Sequence, residues 1–574
     1  MQLKVWIAGG VGLLASVLSV ASLAQTPSPG QLAPRSSAPA PQAIPSGVIF
    51  PETQPAAAPP GSERVELTVG RIEVEGGYLQ LDSDTAAAVA GVAGQRIPVT
   101  KVYEIAAAIE RYYTRQGYFL TRVVIPPQQV RDGGTLRLRV VEGFIESVDA
   151  AQLPSAIRRR IETLLSGVVG DRRLTIGALE RKLLLAGDTP GTALRSTITP
   201  GGETGGVKLV LAGEHRPVSA ELGFDNGYAR AFGRTALSAS AAVNSVFGFG
   251  EQVYANVSGS PSEGGIGSDS ARRLGSIGIM VPLGNDGLTF NVEGTVSTTK
   301  PRLPPGSLKT ESDYARVSFR LAYPLIRSRN ENLTPRLSFE VINEEQQAPQ
   351  FIAVLYQDRI RPVRLGATWS RTLDTETSVW LGGDLSQGLR IFGSRGRRDA
   401  TVDKPISRAL ADDDFTKAEV VARMLQRLPA SFSFDATFYG QYSFSGPLVN
   451  AEQFTLGGPR RLSGYDLATF AGDHGWVARA ELQYSDSFER APVRGLVVPY
   501  VFAARVKVYI EKPGIGERAS TGATSLGFGL RTTLAGTQPV GRDLDFQVEA
   551  ARQYTDRGAQ RDRWRFNLSG TVRF

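Results

Sequence analysis

The chain has 574 residues, 64 basic against 56 acidic side chains for a net charge of +8, no cysteine and two histidines. Without thiols there can be no disulfide scaffold, cysteine nucleophile, zinc ribbon or iron–sulfur cluster, and His215 and His474 alone are a poor supply of metal ligands, so neither a metal nor another cofactor is expected. The 63 glycines, about 11% against a usual ~7%, favour β structure, and the length favours several domains or one very large β unit. Lys and Arg are scattered rather than interleaved with stacking aromatics, which argues against nucleic acid as a partner.

Residues 1–24 read as a secretory signal, with Lys4, an apolar stretch from Val5 to Val20 and the small-residue site Ser22-Leu23-Ala24. Residues 25–64 form a Pro/Ala-rich linker. Ten prolines among positions 25–61, with only Arg35 and Glu52 charged, predict a flexible or polyproline-like tether. No later stretch reaches the ~18 apolar residues of a spanning helix.

From Val65 the order β-α-α-β-β occurs twice. The first unit, 65–149, has a strand near 71–74, a helix over 85–92, and a second helix with Val102, Ile105, Ile109 and Tyr112 on one face. Gly117 ends that helix, and strands follow at 119–125 and 135–141. The second unit, 150–216, repeats the order in shortened form, led by a strand over 144–148; its helices are near 156–165 and 176–185, and its later strands near 193–199 and 207–212. Arg158-Arg159-Arg160 reads as a solvated helix face, near phospholipid headgroups.

Over 217–574 helical periodicity gives way to alternating segments of about ten residues separated by Gly, Asn, Asp and Ser. In the last, Trp564, Phe566, Leu568, Val572 and Phe574 oppose Arg563, Arg565, Asn567, Ser569, Thr571 and Arg573; Phe432, Phe434, Ala436 and Phe438 likewise oppose Ser433, Asp435 and Thr437. An aromatic-rich apolar face against an arginine-rich one suits lipid outside and water inside. Sixteen such segments start near 218, 234, 251, 272, 287, 313, 332, 354, 375, 415, 430, 475, 497, 524, 543 and 563. An even number, with long and very short connections alternating, predicts a sixteen-stranded antiparallel transmembrane barrel whose long loops face outward.

Specific motifs sharpen this. Tyr112-Tyr113-Thr114-Arg115-Gln116-Gly117-Tyr118, Pro126-Pro127-Gln128 and the LRLRVVEG run ending at Gly143 resemble the first POTRA domain of two-partner-secretion transporters. Leu179-Glu180-Arg181 with Asp188-Thr189-Pro190-Gly191 resembles the second, and Phe224-Asp225-Asn226-Gly227 the entry to the family's barrel. The resemblance implies a mainly β protein: two periplasmic α+β POTRA domains before a sixteen-stranded barrel in the outer membrane of a Gram-negative bacterium. It also implies a client, a large secreted β-helical protein with an N-terminal secretion domain, carried by a monomeric barrel in outer-membrane lipid.

The family's sixth extracellular loop carries a VRGY or VRGF tetrad that folds into the lumen. Here the matching stretch is Arg460-Arg461-Leu462-Ser463-Gly464-Tyr465, with Ser463 in the arginine position. The wall aspartate that pairs with that arginine in the family corresponds to Ala504. A lone arginine or aspartate inside a narrow lumen would carry a desolvation cost of several kcal/mol, so joint loss is coherent. The expectation is a rerouted latch from Arg460 or Arg461 to Asp435 or Glu481, or a loop held by Tyr465 stacking and backbone bonds alone. The family's plug helix has no obvious counterpart in the proline-rich tether. Asp473-His474 lies in a long loop without a nucleophile elbow, and an enzyme is not expected.

The expected function is export of one or a few unfolded partner proteins through the outer membrane. The alternatives are a POTRA-barrel factor that inserts other outer-membrane proteins, and a passive diffusion porin, which leaves residues 65–215 without a purpose.

Overall fold

The computed structural model describes residues 27–39, 47–48, 57–78, 83, 85, 89–490, 493–514, 517–536, 543–556 and 563–574. The expected signal segment, and residues 86–88 of the helix expected over 85–92, lie outside them.

The first α+β unit carries a four-stranded sheet in the order Arg96–Pro98, Glu66–Glu75, Gly134–Val141, Arg122–Val124, covered by the helix Val99–Arg115. Leu136, Leu138 and Val140 alternate onto the helix, which buries Val102, Ile105, Ile109 and Tyr113. Tyr113 at 0% exposure, rather than the expected Tyr112, completes the buried stripe. Gly117 turns the chain at φ +94, and Tyr118 stacks on Tyr78 with ring centroids 4.1 Å apart. The strand expected over 119–125 is cut to Arg122–Val124: the turn in which Thr121 N–H donates to Tyr118 O (3.2 Å) delays its start, and Pro126 and Pro127, which lack the N–H a ladder needs, end it. Gln128 replaces the missing backbone partner: its amide donates to Arg137 O (2.7 Å) and accepts from Arg137 N–H (2.8 Å). Gly143 passes so close to Leu120 that a Cβ there would lie 2.1 Å from its carbonyl oxygen.

The second unit packs helices Ser155–Leu165 and Ile176–Gly187 on strands Phe144–Gln152, Thr192–Pro200 and Gly206–His215, with Ile157, Ile161, Leu179, Leu183, Leu209 and Leu211 in the core. Gly47–Val48 of the linker adds to this sheet as a parallel edge strand against Arg195 and Ser196. Pro190-Gly191 makes the joint to the barrel: Gly191 sits at φ +73 and its carbonyl accepts from Arg216 N–H (2.7 Å). Of the expected solvated face at Arg158–Arg160, Arg159 is exposed, whereas Arg160 donates to Gly284 O (2.8 Å) in a short barrel turn and Arg158 to Leu153 O (2.7 Å). Arg181 and Lys182 meet Asp286 in the same turn, while Asp188 binds the Arg327 guanidinium through both oxygens at 2.7 and 2.8 Å. The Tyr323 hydroxyl first, then Arg181 and Lys182, holds the Asp286 carboxyl below its ordinary value.

Sixteen antiparallel strands, beginning at Val218–Asp225 and ending at Trp564–Arg573, close into a barrel. Exposure is inverted relative to a water-soluble fold. Phe566 (69%), Ile277 (64%) and Phe528 (56%) face outward, whereas Glu293, Lys417 and Glu549 (each 0%) face inward. The second α+β unit enters at Val218, so the end with short turns, such as 284–287 and 428–431, faces that unit, and the long connections 389–415 and 444–473 lie at the other end.

The seam is the weakest joint of the ladder. Ser569–Arg573 pairs with Asp225–Glu221 over five residues, and beyond them the Asn226 side chain takes over, accepting from Leu568 N–H (2.8 Å) and donating to Phe566 O (3.0 Å). Asn226→Ala removes both bonds while leaving the backbone groups near the rim, so it should cost about 1–2 kcal/mol. The temperature at which the barrel loses its folded gel mobility should fall, and an unchanged value would mean that the seam does not depend on this amide.

Candidate functional site

Among the described residues, two segments enter the lumen and bond its wall. The first is the sixth long loop, 444–473. Its short hairpin, Phe454–Leu456 against Phe470–Gly472, packs Leu456, Leu462, Tyr465 and Phe470 on wall residues Val477, Ala504 and Val506. Gly457 and Gly458, at φ +127 and +84, turn its tip; a Cβ on Gly457 would sit 2.1 Å from Asp466 O.

At the tip the pairing is the reverse of a loop arginine reaching a wall acid. The wall supplies the cation and the loop an uncharged acceptor. Arg479 donates to Ser463 Oγ (2.6 Å), Glu481 (2.6 Å) and Glu549 (2.7 Å), and its guanidinium lies 3.7 Å from the centre of the Phe502 ring. Asn567 donates to Ser463 O (2.8 Å), Gly464 N–H to Ser525 Oγ (2.9 Å) and the Tyr465 hydroxyl to Tyr554 O (2.6 Å), while Asp466 pairs with Arg565. Gly464 is enclosed, with Ser525 Oγ 3.0 Å and Gln553 Cβ 3.1 Å from where a Cβ would stand.

The expected pairing of Arg460 or Arg461 with Asp435 or Glu481 is therefore corrected. Asp435 is bound by Arg423 (2.6 Å), and Glu481 by Arg479 and Arg531 (2.6 and 2.8 Å), all on barrel strands, so both acids are neutralised within the wall. Arg460 is exposed at φ +67, and Arg461 lies 4.6 Å over the Tyr439 ring. Ala504 at the former aspartate position packs under the loop, directly across the ladder from Arg479.

The base of the loop has a second anchor. Glu452 (2% exposed) meets Arg364 at 2.5 Å and Lys417 at 2.8 Å, with Gln441 on its carbonyl (3.1 Å). Asp473 accepts from Leu448 and Glu511 N–H (2.8 Å each) and pairs with Arg408 at 3.3 Å, so Asp473-His474 ties three connections together.

The second segment is 27–39, which corrects the expected free tether. Ser28 and Gln31 form a capping box, Pro29 takes the first helical position, and Pro29–Leu32 makes one turn inside the barrel. Gln31 donates to Gln453 of the loop (3.3 Å), Arg35 pairs with Glu419, Ser37 N–H donates to Glu293 (2.9 Å), and Arg320 donates to Arg35 O (2.6 Å). A Cβ on Gly30 would fall 2.2 Å from Glu344 Oε2.

Sequence reasoning missed Arg479, Glu549, Asn567, Arg364, Lys417 and Glu452, because every strand carries charges on its polar face and nothing local marks the ones that meet a loop. The helix start at Ser28-Pro29-Gly30-Gln31 had a legible signal in its capping-box spacing. Two variants grade the tip anchor. Ser463→Ala removes only the loop-side acceptor and should weaken anchoring by about 1–2 kcal/mol, whereas Arg479→Ala strands Glu549 and should cost about 3–5 kcal/mol. Hydrogen exchange of amides 462–466 should accelerate in that order; equal protection in both variants and the parent would mean that Arg479 does not hold the loop.

Comparison with known proteins agrees with this architecture. Residues 205–531, more than half of the chain, match the family described as haemolysin secretion/activation protein ShlB/FhaC/HecB, and residues 67–143 match the ShlB-type POTRA domain. The chain is 25% identical over 451 residues to the hemolysin transporter protein ShlB of Serratia marcescens, covering 75% of each. It is 22% identical over 537 residues to the heme/hemopexin transporter protein HuxB of Haemophilus influenzae, covering 90% of each. The solved structure of CdiB from Escherichia coli superposes with a TM-score of 0.69 at 20% identity, covering 92% of this chain and 94% of that one. The chain therefore belongs to the ShlB/FhaC/HecB family of haemolysin secretion/activation proteins, outer-membrane β-barrel transporters with periplasmic POTRA domains.

Proposed function

We propose that this chain exports one or a few large β-helical partner proteins, which it captures unfolded in the periplasm through the secretion domain at their N-terminus and passes through its barrel to the cell surface or medium. The observation that carries the reading is the way the lumen is filled. Two segments of the chain, 27–39 and 444–473, occupy it through side-chain bonds and ion pairs rather than through a covalent or wall-built constriction. Such a filling can withdraw and return, as export of a polypeptide requires.

Capture has a physical precedent within the molecule. The edge strand Thr192–Pro200 already accepts Gly47–Val48 as an added strand, so an extended client segment could pair in the same manner. In the first POTRA domain a groove of about 260 Å³, lined by Tyr103, Ala106, Ala107 and Val124, lies beside the short edge strand Arg122–Val124 and would receive client side chains. Folding of the client outside would supply direction, and a monomeric barrel suffices for passage.

Two measurements test the reading. Deleting the chain from its host should remove one or a few large proteins from the surface or medium while unrelated outer-membrane barrels keep their abundance; broad loss of those barrels would instead identify an insertion factor, and no change in either fraction a diffusion pore. Removing residues 27–39 should raise single-channel conductance in planar bilayers. Conductance equal to that of the full chain would show that this segment does not obstruct the pore.

A further inference from the structure

The outward face of the barrel carries a recess. On four neighbouring strands, Thr416–Arg427, Phe432–Ser443, His474–Tyr484 and Val493–Tyr509, lipid-facing positions are held by the alanines Ala422, Ala436, Ala478, Ala480 and Ala503, of which Ala422 and Ala478 stand on either side of Phe438. Ala436 stands opposite Ala480 and Ala480 opposite Ala503. Leu381, Met424 and Phe438 form the walls of the resulting apolar groove, whose volume is about 580 Å³. That lies within the roughly 300–1,000 Å³ of small-ligand sites.

A cation stands at one side of it. Phe502, Ala504 and Val506 point into the lumen (5%, 2% and 0% exposed), so Arg505 between them points to lipid, opposite Ala478 and Thr524. Arg505 has no hydrogen bond or ion pair among the described residues, and Lys507 follows on the same face, 5.5 Å from the Tyr509 ring centre. Arg505 is four residues from the strand end at Tyr509. That is roughly 13 Å along the strand and, at the ~40° tilt of such barrels, about 10 Å below the outer rim. An unpaired guanidinium at this depth is unfavourable against hydrocarbon, but its stem can carry the head upward to an interfacial anion.

We infer that this groove is a binding site for a phosphorylated glycolipid of the outer leaflet, with one acyl chain along the alanine floor and a phosphate on Arg505 and Lys507. Charge complementarity selects the occupant. A zwitterionic phospholipid brings one phosphate already balanced by its own ammonium, so its net charge cannot offset the two cations, and a second barrel, whose own copy of this face carries the same two cations, adds repulsion. The site also backs onto the loop anchor, because Ala478 and Ala480 flank Arg479, which points the other way to Ser463. One strand thus holds lipid on its outer face and the loop tip on its inner face.

The full chain, purified in detergent, is titrated with bisphosphorylated lipid A, its dephosphorylated form and phosphatidylethanolamine, and bound lipid is counted by native mass spectrometry. The parent should retain one lipid A and bind it at least about tenfold more tightly than either comparison lipid. Arg505→Ala combined with Lys507→Ala should lose that preference, and Ala480→Phe, which fills the floor, should weaken lipid A binding by a similar factor. Unchanged affinity in the double variant, equal binding of all three lipids, or a barrel dimer in place of a lipid adduct would each overturn the inference. Should Ala480→Phe fail to reach the folded gel mobility, the double variant decides alone, since it alters only two lipid-facing side chains.

Discussion

Everything in this molecule depends on closing a β-sheet upon itself in a medium that offers no hydrogen bonds. Within hydrocarbon every strand needs two neighbours, so the last strand must find the first. Closure fixes an inside and an outside for every residue, and alternate positions are thereby committed to lipid or to lumen. The seam between Val218–Asp225 and Trp564–Arg573 is where this requirement is met most sparingly, and the Asn226 amide extends the ladder there by imitating a peptide group.

The same closure gathers charge. A polar lumen lined from sixteen strands brings Glu293, Arg316, Glu340, Arg364, Lys417, Arg479, Glu481 and Glu549 into a space where each is at most 7% exposed. Such groups are costly unless paired, and pairing is nearly complete. Most partners lie on barrel strands. The exceptions include Ser463 and Glu452 of the sixth loop and Arg35 and Ser37 of the N-terminal segment, which enter the network from outside the wall. These entrants therefore complete the electrostatics of the lumen as well as filling it, and their withdrawal would leave wall groups for a passing polypeptide or water to satisfy.

The reversed tip anchor illustrates how little the identity of a latch matters compared with its balance. A loop serine needs a donor and the wall alanine supplies none, so the guanidinium of Arg479 on the adjoining strand serves, balanced by Glu481 and Glu549. The periplasmic side follows a different rule. There Asp188, Arg181 and Lys182 grip turns of the barrel through exposed ion pairs, which orient the second α+β unit while remaining open to salt and solvent.

The amino-acid sequence alone determined the architecture. Period-two alternation from Val218 to Phe574 is a local property of each strand, readable one segment at a time, and the sixteen segments so read agree closely with the sixteen strands formed. The β-α-α-β-β order of the second unit was legible from equally local periodicity, as were Gly117 and the Pro126-Pro127-Gln128 turn, whose chemistry acts within a few residues. What the tertiary structure alone decided is which polar side chains meet across the lumen. Ser463 and Arg479 are sixteen residues apart and Arg479 and Glu549 seventy, while Arg35 lies hundreds of residues from Glu419. Their proximity comes from barrel curvature and from a loop folding inward, neither of which leaves a periodic trace. A strand's polar face looks alike whether its charge will meet water, a neighbour or a loop, so the rerouted latch at Arg460 or Arg461 was chemically reasonable. It was displaced because Asp435 and Glu481 had nearer partners in the wall itself.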